Sequence, residues 1–141
     1  MTDVHTPEIR SFNMSRIRSK NTRPEMLVRR ALFSTGYRYR LHDKSLPGRP
    51  DIVLKKHKTV IFVHGCFWHG HRGCKKFVIP KTRTQWWIDK INRNIANDVK
   101  VCKALKEKGL RIVVIWECST NSSKIKNVVK RLQTKFKAKG E

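Results

Sequence analysis

The segment His64–Cys74 constrains the fold more than any other part of the chain, because it holds three histidines and two cysteines interrupted by glycines. Thiol and imidazole groups at this density, with glycines that permit tight turns, are typical of a metal site. Cys66, His71 and Cys74 would supply three ligands, and Cys118, at the end of a distant apolar run, would complete a tetrahedral structural zinc site. The alternative is that reduced buried cysteines and a loop histidine occupy this region without a metal.

Hydrophobic patterning predicts an α/β domain with helices packed on a mixed sheet. Two β-branched runs separated by four polar residues predict a hairpin that places Asp51 opposite Phe62–His64. The predicted elements, in chain order, are a helix over 22–36, strands over 37–41, 51–54 and 59–64, a long helix over 84–108, a strand over 111–116 and a basic amphipathic helix near the end.

We expect one domain over residues 1–141, with residues 1–20 as an N-terminal arm and residues 121–141 as the basic C-terminal helix. The chain contains no apolar run long enough to span a bilayer, and its first residues lack the apolar stretch of a signal peptide. These features favour a cytoplasmic protein without a membrane partner. In that reducing compartment, metal binding is a better interpretation of the cysteines than disulfide bonds.

The net charge indicates a polyanionic partner. The chain has 33 lysines and arginines against 10 aspartates and glutamates, which gives a formal net charge of +23. An anionic membrane surface usually selects one long basic helix, whereas here the basic residues run from Arg10 to Lys139. Nucleic acid is therefore the predicted partner.

The few acidic residues are candidates for chemistry, because each one opposes phosphate binding. Asp51 follows Pro50 at the head of a strand in a basic loop, where a carboxylate is tolerated if a divalent cation such as Mg2+ lies between it and phosphate. A turn-capping role is the alternative for Asp51. Glu25 fits a capping box with Thr22, yet its carboxylate could face the same site.

Asp98 lies on the apolar stripe of the long helix, so its carboxylate needs a partner. His64 and His69 remain once His71 is assigned to zinc, and a carboxylate can fix the tautomer of such a histidine for acid–base work. An ion pair between Asp98 and a lysine or arginine is the alternative.

Aromatic residues flank these candidates. Phe67 and Trp68 precede His69, and Trp86 and Trp87 open the long helix after basic residues. Aromatic side chains interleaved with basic ones suit wedging between base pairs. We expect Trp87 to face DNA with Phe67 and Trp68, and Trp86 to be the core residue of the pair.

Four motifs together resemble the very-short-patch mismatch repair endonucleases (Vsr): LPGRPD at Leu46–Asp51, VHGCFWH at Val63–His69, KTRT at Lys81–Thr84 and VIWEC at Val114–Cys118. The resemblance implies a restriction-endonuclease-like α/β fold and Mg2+-dependent nicking of double-stranded DNA beside the thymine of a T:G mismatch, the lesion that deamination of 5-methylcytosine leaves. We expect a monomer, with mismatch-repair proteins as candidate partners.

The resemblance also implies a role for each matching residue. Asp51 would hold Mg2+, His69 would be the general base oriented by Asp98, and His64 and Glu25 would assist. The zinc ligands would be Cys66, His71, Cys74 and Cys118, and the DNA wedge would be Phe67, Trp68 and Trp87.

The chain departs from the family pattern in two places. The segment from His69 to Cys74 is one residue longer than usual, which weakens the assignment of His71 as a zinc ligand. Val63 stands where the family often has threonine, so we expect Val63 to contribute to the magnesium site through its backbone carbonyl. A zinc-stabilised, non-catalytic DNA-binding module and a restriction enzyme of the same fold are the alternative functions.

Overall fold

The computed structural model describes residues 22–138, and their sheet has four strands in the order β1-β2-β3-β4. The elements are α1 (Arg23–Ser34), β1 (Arg40–Leu41), β2 (Ile52–Leu54), β3 (Thr59–His64), α2 (Thr84–Glu107), β4 (Arg111–Trp116) and α3 (Ile125–Ala138). Short 3-10 turns follow β2 at Lys55–His57 and β4 at Glu117–Ser119.

The predicted hairpin is confirmed as the antiparallel pair β2 and β3. Its register places Ile52 opposite Ile61, and the chain reverses through the 3-10 turn with Lys58 in the left-handed region at φ 49°. This register brings Asp51 to β3, where the Val63 N–H donates to Asp51 Oδ2 at 2.7 Å.

The sheet is mixed, as predicted. β1 and β2 are antiparallel, whereas β3 and β4 are parallel from Thr59 opposite Arg111 to His64 opposite Trp116. A parallel connection needs a crossover, and α2 provides it. Since both strands run in the same direction, His64 and the turn that follows β4 lie at the same end of the sheet.

Helices cover both faces of the sheet. One face packs against α1 and α3 through a buried cluster, and the other packs against α2. The first cluster contains Val28, Leu32, Ile52, Leu54, Ile61, Val113, Ile115, Val128, Leu132 and Phe136. The second contains Val53, Val60, Phe62 and Leu105. Both faces of the central strands are buried, which explains why their sequences are continuous apolar runs.

Element bounds differ from the predictions mainly at β1. The strand expected over 37–41 is only Arg40–Leu41, because Tyr37 and Tyr39 pack against the first core cluster ahead of the ladder. A C-terminal helix is present at Ile125–Ala138, and it begins four residues after the expected start of 121–141. The expected N-terminal arm, 1–20, lies outside the described residues. Between residues 22 and 138, no helix combines the length and apolarity needed to cross a bilayer.

Candidate functional site

Asp51 lines a cavity of about 420 Å³ between the sheet and α2. One oxygen of its carboxylate accepts the Val63 N–H, which fixes the side chain against β3. Burial raises the pKa of the Asp51 carboxyl above its ordinary value of 3.8, although the Val63 hydrogen bond opposes this shift. The cavity is lined by His42, Lys44, Gly48, Arg49, Asp51, Phe62, Val63, His64, His69, Asn97, Asp98 and Val101. A carboxylate beside cationic side chains in one cleft suits a phosphate with a bridging cation.

His69 and Asp98 form a pair in this cavity. His69 Nδ1 lies 2.7 Å from Asp98 Oδ2, and the side chains are 28% and 26% exposed. A carboxylate at Nδ1 favours the tautomer that carries its proton there and leaves Nε2 able to accept one. Asp98 comes from α2 and His69 from the turn after β3, so the pair depends on tertiary packing. The partner expected for the Asp98 carboxylate is thus a histidine, and the open cavity leaves about a quarter of the Asp98 side chain accessible.

His64 stacks on His69 at the end of β3. The two imidazole rings are 3.8 Å apart with planes inclined by 3°. Burial lowers the pKa of His64 to about 4, with the neighbouring His69 as a smaller cause. His64 is therefore neutral near pH 7 and can donate or accept a hydrogen bond beside His69 without adding charge.

Glu25 reaches the same region from the first turn of α1. Its backbone N–H bonds the Thr22 side chain, which caps the helix, while its carboxylate contacts Arg29 and lies 2.9 Å from His42 Nε2. One ligand atom each from Glu25, His42 and Asp51 lies within 4.8 Å of the others. The structure thus brings Glu25 beside Asp51.

Sequence reasoning missed His42. Its backbone N–H donates to the Asp51 carbonyl at 3.2 Å, and its φ of 47° is unusual for a residue with a side chain. The signal was the pairing of β1 with β2, because extending that antiparallel register from Leu41 opposite Ile52 places His42 opposite Asp51.

Cys66, His71, Cys74 and Cys118 form a separate cluster. Their ligand atoms all lie within 4.8 Å of one another, and none of the four described cysteines is in a disulfide. Ligands around a tetrahedral zinc ion lie roughly 3.8 Å apart, so this donor set fits such an ion after a small contraction. Burial raises the pKa of the Cys66 thiol to about 12, whereas a hydrogen bond from the Lys76 backbone lowers the pKa of Cys74.

An aromatic cluster lies next to the turn that carries His69. Phe67 contacts Trp68 and Trp87, each with ring centroids 5.3 Å apart, and Trp68 and Trp87 are 5.8 Å apart. The prediction that Trp86 belongs to the core is wrong, because its side chain is 42% exposed and lies under the guanidinium of Arg83. Trp87 is half-buried, since it shares the face of α2 that packs inward.

Two side chains outside the turn also hold it, and sequence reasoning missed both contacts. Asn94 Nδ2 donates to the Trp68 carbonyl at 2.8 Å, and Glu117 Oε1 accepts the Cys66 N–H at 2.9 Å. Asn94 precedes Asp98 by one helical turn, so the spacing along α2 was a usable signal. No sequence pattern around Glu117 could have predicted its contact with Cys66, because the two residues lie in distant segments of the chain.

The arrangement can position a phosphate, a cation and a histidine base beside an aromatic surface. Comparison with known proteins gives a family with the corresponding chemistry. A family model described as DNA mismatch endonuclease Vsr matches residues 2–76.

Relatives that align with most of the chain agree with the family match. The chain is 50% identical over 125 residues to the type II nicking enzyme V.NmeAIP of Neisseria meningitidis serogroup A / serotype 4A, covering 89% of each chain. It is 52% identical over 118 residues to the type II nicking enzyme V.XorIIP of Xanthomonas oryzae pv. oryzae, covering 84% of this chain and 86% of the relative. It is 43% identical over 119 residues to the DNA mismatch endonuclease Vsr of Escherichia coli K12, covering 84% of this chain and 76% of the relative.

Proposed function

This chain belongs to the Vsr family of DNA endonucleases, and we propose that it nicks one strand of double-stranded DNA beside the thymine of a T:G mismatch in an Mg2+-dependent hydrolysis. The observation that carries the proposal is the cavity in which Asp51 and the His69–Asp98 pair lie together. The mismatch is the substrate because one relative is named a DNA mismatch endonuclease and the aromatic cluster adjoins the cavity.

The residues of the cavity divide the chemistry between them. The Asp51 carboxylate and the Val63 carbonyl would hold Mg2+, which supplies charge neutralisation at the scissile phosphate. His69 takes a proton from the attacking water through Nε2, and Asp98 stabilises the imidazolium that results. His64 lines the same cavity, and the buried Glu25 lies beside Asp51, so both would assist by hydrogen bonding.

The remaining parts support this reaction. Cys66, His71, Cys74 and Cys118 would bind a structural zinc ion, because a closed set of soft ligands leaves no position for substrate. Phe67, Trp68 and Trp87 would wedge between base pairs at the mismatch.

We propose the whole chain, 1–141, as one endonuclease domain that acts as a cytoplasmic monomer. Its partner is double-stranded DNA carrying a T:G mismatch, to which a net charge of +23 gives a strong salt-dependent affinity. Mismatch-repair proteins are candidate further partners, and the basic stretch 121–141 is the candidate surface for them.

Nicking of end-labelled duplexes with each mismatch, with and without Mg2+, tests the function. We expect one nick beside the thymine of T:G and no cut in matched DNA. Asp51→Ala should abolish the nick and leave binding near the parental level, because cation binding at Asp51 adds little to the phosphate contacts. Cutting of matched DNA at the T:G rate would instead indicate a restriction enzyme, and binding without any cut would indicate a non-catalytic module.

A further inference from the structure

Glu117 lies between the predicted metal cluster and the turn that carries the wedge and the base. Its carboxylate oxygen Oε1 accepts the Cys66 N–H at 2.9 Å, although the two residues are 51 positions apart in the chain. Its other oxygen faces the Lys76 ammonium at 3.8 Å, and the Glu117 side chain is 29% exposed. This acid has no part in the proposed chemistry, yet it is held in a defined position in a chain with few acids.

The turn from Gly65 to His71 contains one hydrogen bond of the α-helical type and ends with a wider one. The His69 N–H donates to the Gly65 carbonyl at 3.1 Å, and the His71 N–H donates to the Cys66 carbonyl at 2.9 Å. The first N–H groups of such a turn have no partner within the turn itself. Glu117 therefore acts on Cys66 as a capping carboxylate acts on a helix N-terminus, but from another segment of the chain.

The surroundings of Gly65 show how close Glu117 lies to Trp68. A Cβ placed on Gly65 would lie 3.5 Å from Trp68 Cδ1 and 3.9 Å from Glu117 Oε1, so both side chains flank the same point of the backbone. The rest of the turn is fixed from α2, by Asn94 at the Trp68 carbonyl and by Asp98 at His69. Glu117 thus holds the opposite end of the turn through its hydrogen bond with the Cys66 N–H.

We propose that Glu117 is a positioning residue that sets the turn so that Trp68 and His69 meet the DNA together. The inference rests on the proposed function, because it takes Trp68 as part of the wedge and His69 as the base. Glu117 does not line the cavity that holds Asp51 and His69; it acts through the Cys66 N–H. The requirement is an acceptor oxygen at this position, not a negative charge.

The test compares Glu117→Gln, which keeps an acceptor oxygen, with Glu117→Met, which has a similar volume and a weak acceptor. Glu107→Ala, at the exposed end of α2, is the control for loss of one acidic charge. Zinc content, thermal unfolding, nicking rate and the ratio of T:G to matched binding in EDTA-free buffer without Mg2+ are measured for each. The ratio of T:G to matched binding reports the effect on the proposed aromatic wedge without requiring cleavage.

We expect Glu117→Met to retain zinc, to nick on the order of tenfold more slowly and to lose a similar factor in the binding ratio. Glu117→Gln and Glu107→Ala should stay within about twofold of the parent. Parental rate and ratio in Glu117→Met would overturn the inference, and so would loss of zinc or of the fold in that variant, since the role would then be structural. If the parent itself does not prefer T:G, the proposed function fails instead.

Discussion

The bond from His69 Nδ1 to Asp98 fixes which nitrogen of the imidazole faces the cavity. Replacing Asp98 by Asn offers an amide that can donate to Nδ1 and so stabilise the wrong tautomer. We therefore expect Asp98→Asn to fold normally and to nick ten- to a hundredfold more slowly, on the order of other losses at residues that orient a ligand or a base. Single-turnover nicking of a T:G duplex measures this.

Asp89→Asn is the matched control for that variant. Asp89 lies on the same helix, but it is exposed and bonds Gln85. It should nick at the parental rate. Parental activity in Asp98→Asn would mean that His69 does not need the carboxylate and that His64 or a bound water serves as base.

At single residues, sequence reasoning succeeded where a local pattern carried the information. The pairing of Asp98 with a histidine could be predicted because a carboxylate on an apolar stripe needs a partner. The prediction that Trp86 is a core residue was wrong. Trp87, not Trp86, stands four residues before the buried Ile91 and therefore lies on the inward face of α2. His42 was missed because its position depends on the pairing of β1 with β2 and on no pattern around the residue itself.

At the scale of elements, the hairpin and the long helix were predictable because each has a clear hydrophobic pattern and ends at residues that favour a turn. The register of β2 on β3 follows from the short polar turn, so the sequence alone places Asp51 opposite the end of β3. The length of β1 could not be predicted, since only packing decides that Tyr37 and Tyr39 leave the ladder for the core.

The loop before Asp51 packs directly on α2. Gly48 has φ +75°, and a Cβ there would lie 2.3 Å from Val101 Cγ1. Gly36 has φ +100° with nothing within 4 Å of such a Cβ. We expect Gly36→Ala to lower the free energy of unfolding by about 1 kcal/mol and Gly48→Ala by about 2–4 kcal/mol, because overpacking is added to backbone strain.

Urea unfolding of the single variants and of Gly48→Ala with Val101→Ala checks this. Removing the Val101 methyl groups should recover much of the excess loss in Gly48→Ala. Equal losses at Gly36 and Gly48 would mean that the loop moves away from α2 without cost.

The predicted zinc cluster joins the turn after β3 to the end of β4. Trp116 reinforces this junction, since it stacks on His71 at 4.1 Å and meets His64 edge-on at 5.4 Å. A structural zinc ion contributes on the order of 10 kcal/mol to folding, which is comparable with the whole net stability of about 5–15 kcal/mol for a domain. Cys118→Ser should therefore lose both zinc and the cooperative thermal transition.

Cys102→Ser is the matched control, because Cys102 lies half-buried on α2 outside the cluster. It should keep the parental metal content. Elemental analysis and thermal unfolding with and without chelator decide the question. A folded parent without zinc would contradict the assignment.

At the scale of the whole molecule, the proposed function assigns DNA affinity and mismatch discrimination to different parts of the chain. The net charge of +23 is spread over the chain, so phosphate contacts bind any duplex. The aromatic cluster is local and adjoins His69, so in the proposed function it would respond to the opening of a base pair. A T:G wobble is easier to unstack than a matched pair, and the difference is a few kcal/mol at most.

Trp68→Ala should therefore reduce the preference for T:G without changing the slope of log affinity against log salt. Lys130→Gln, an exposed change on α3, is the control that leaves the preference intact. Nicking and binding of T:G and matched duplexes over a range of salt concentrations measure both quantities. If Trp68→Ala weakened binding to both duplexes equally and kept the cleavage ratio, the aromatic residues would only pack, and polar contacts would have to read the mismatch.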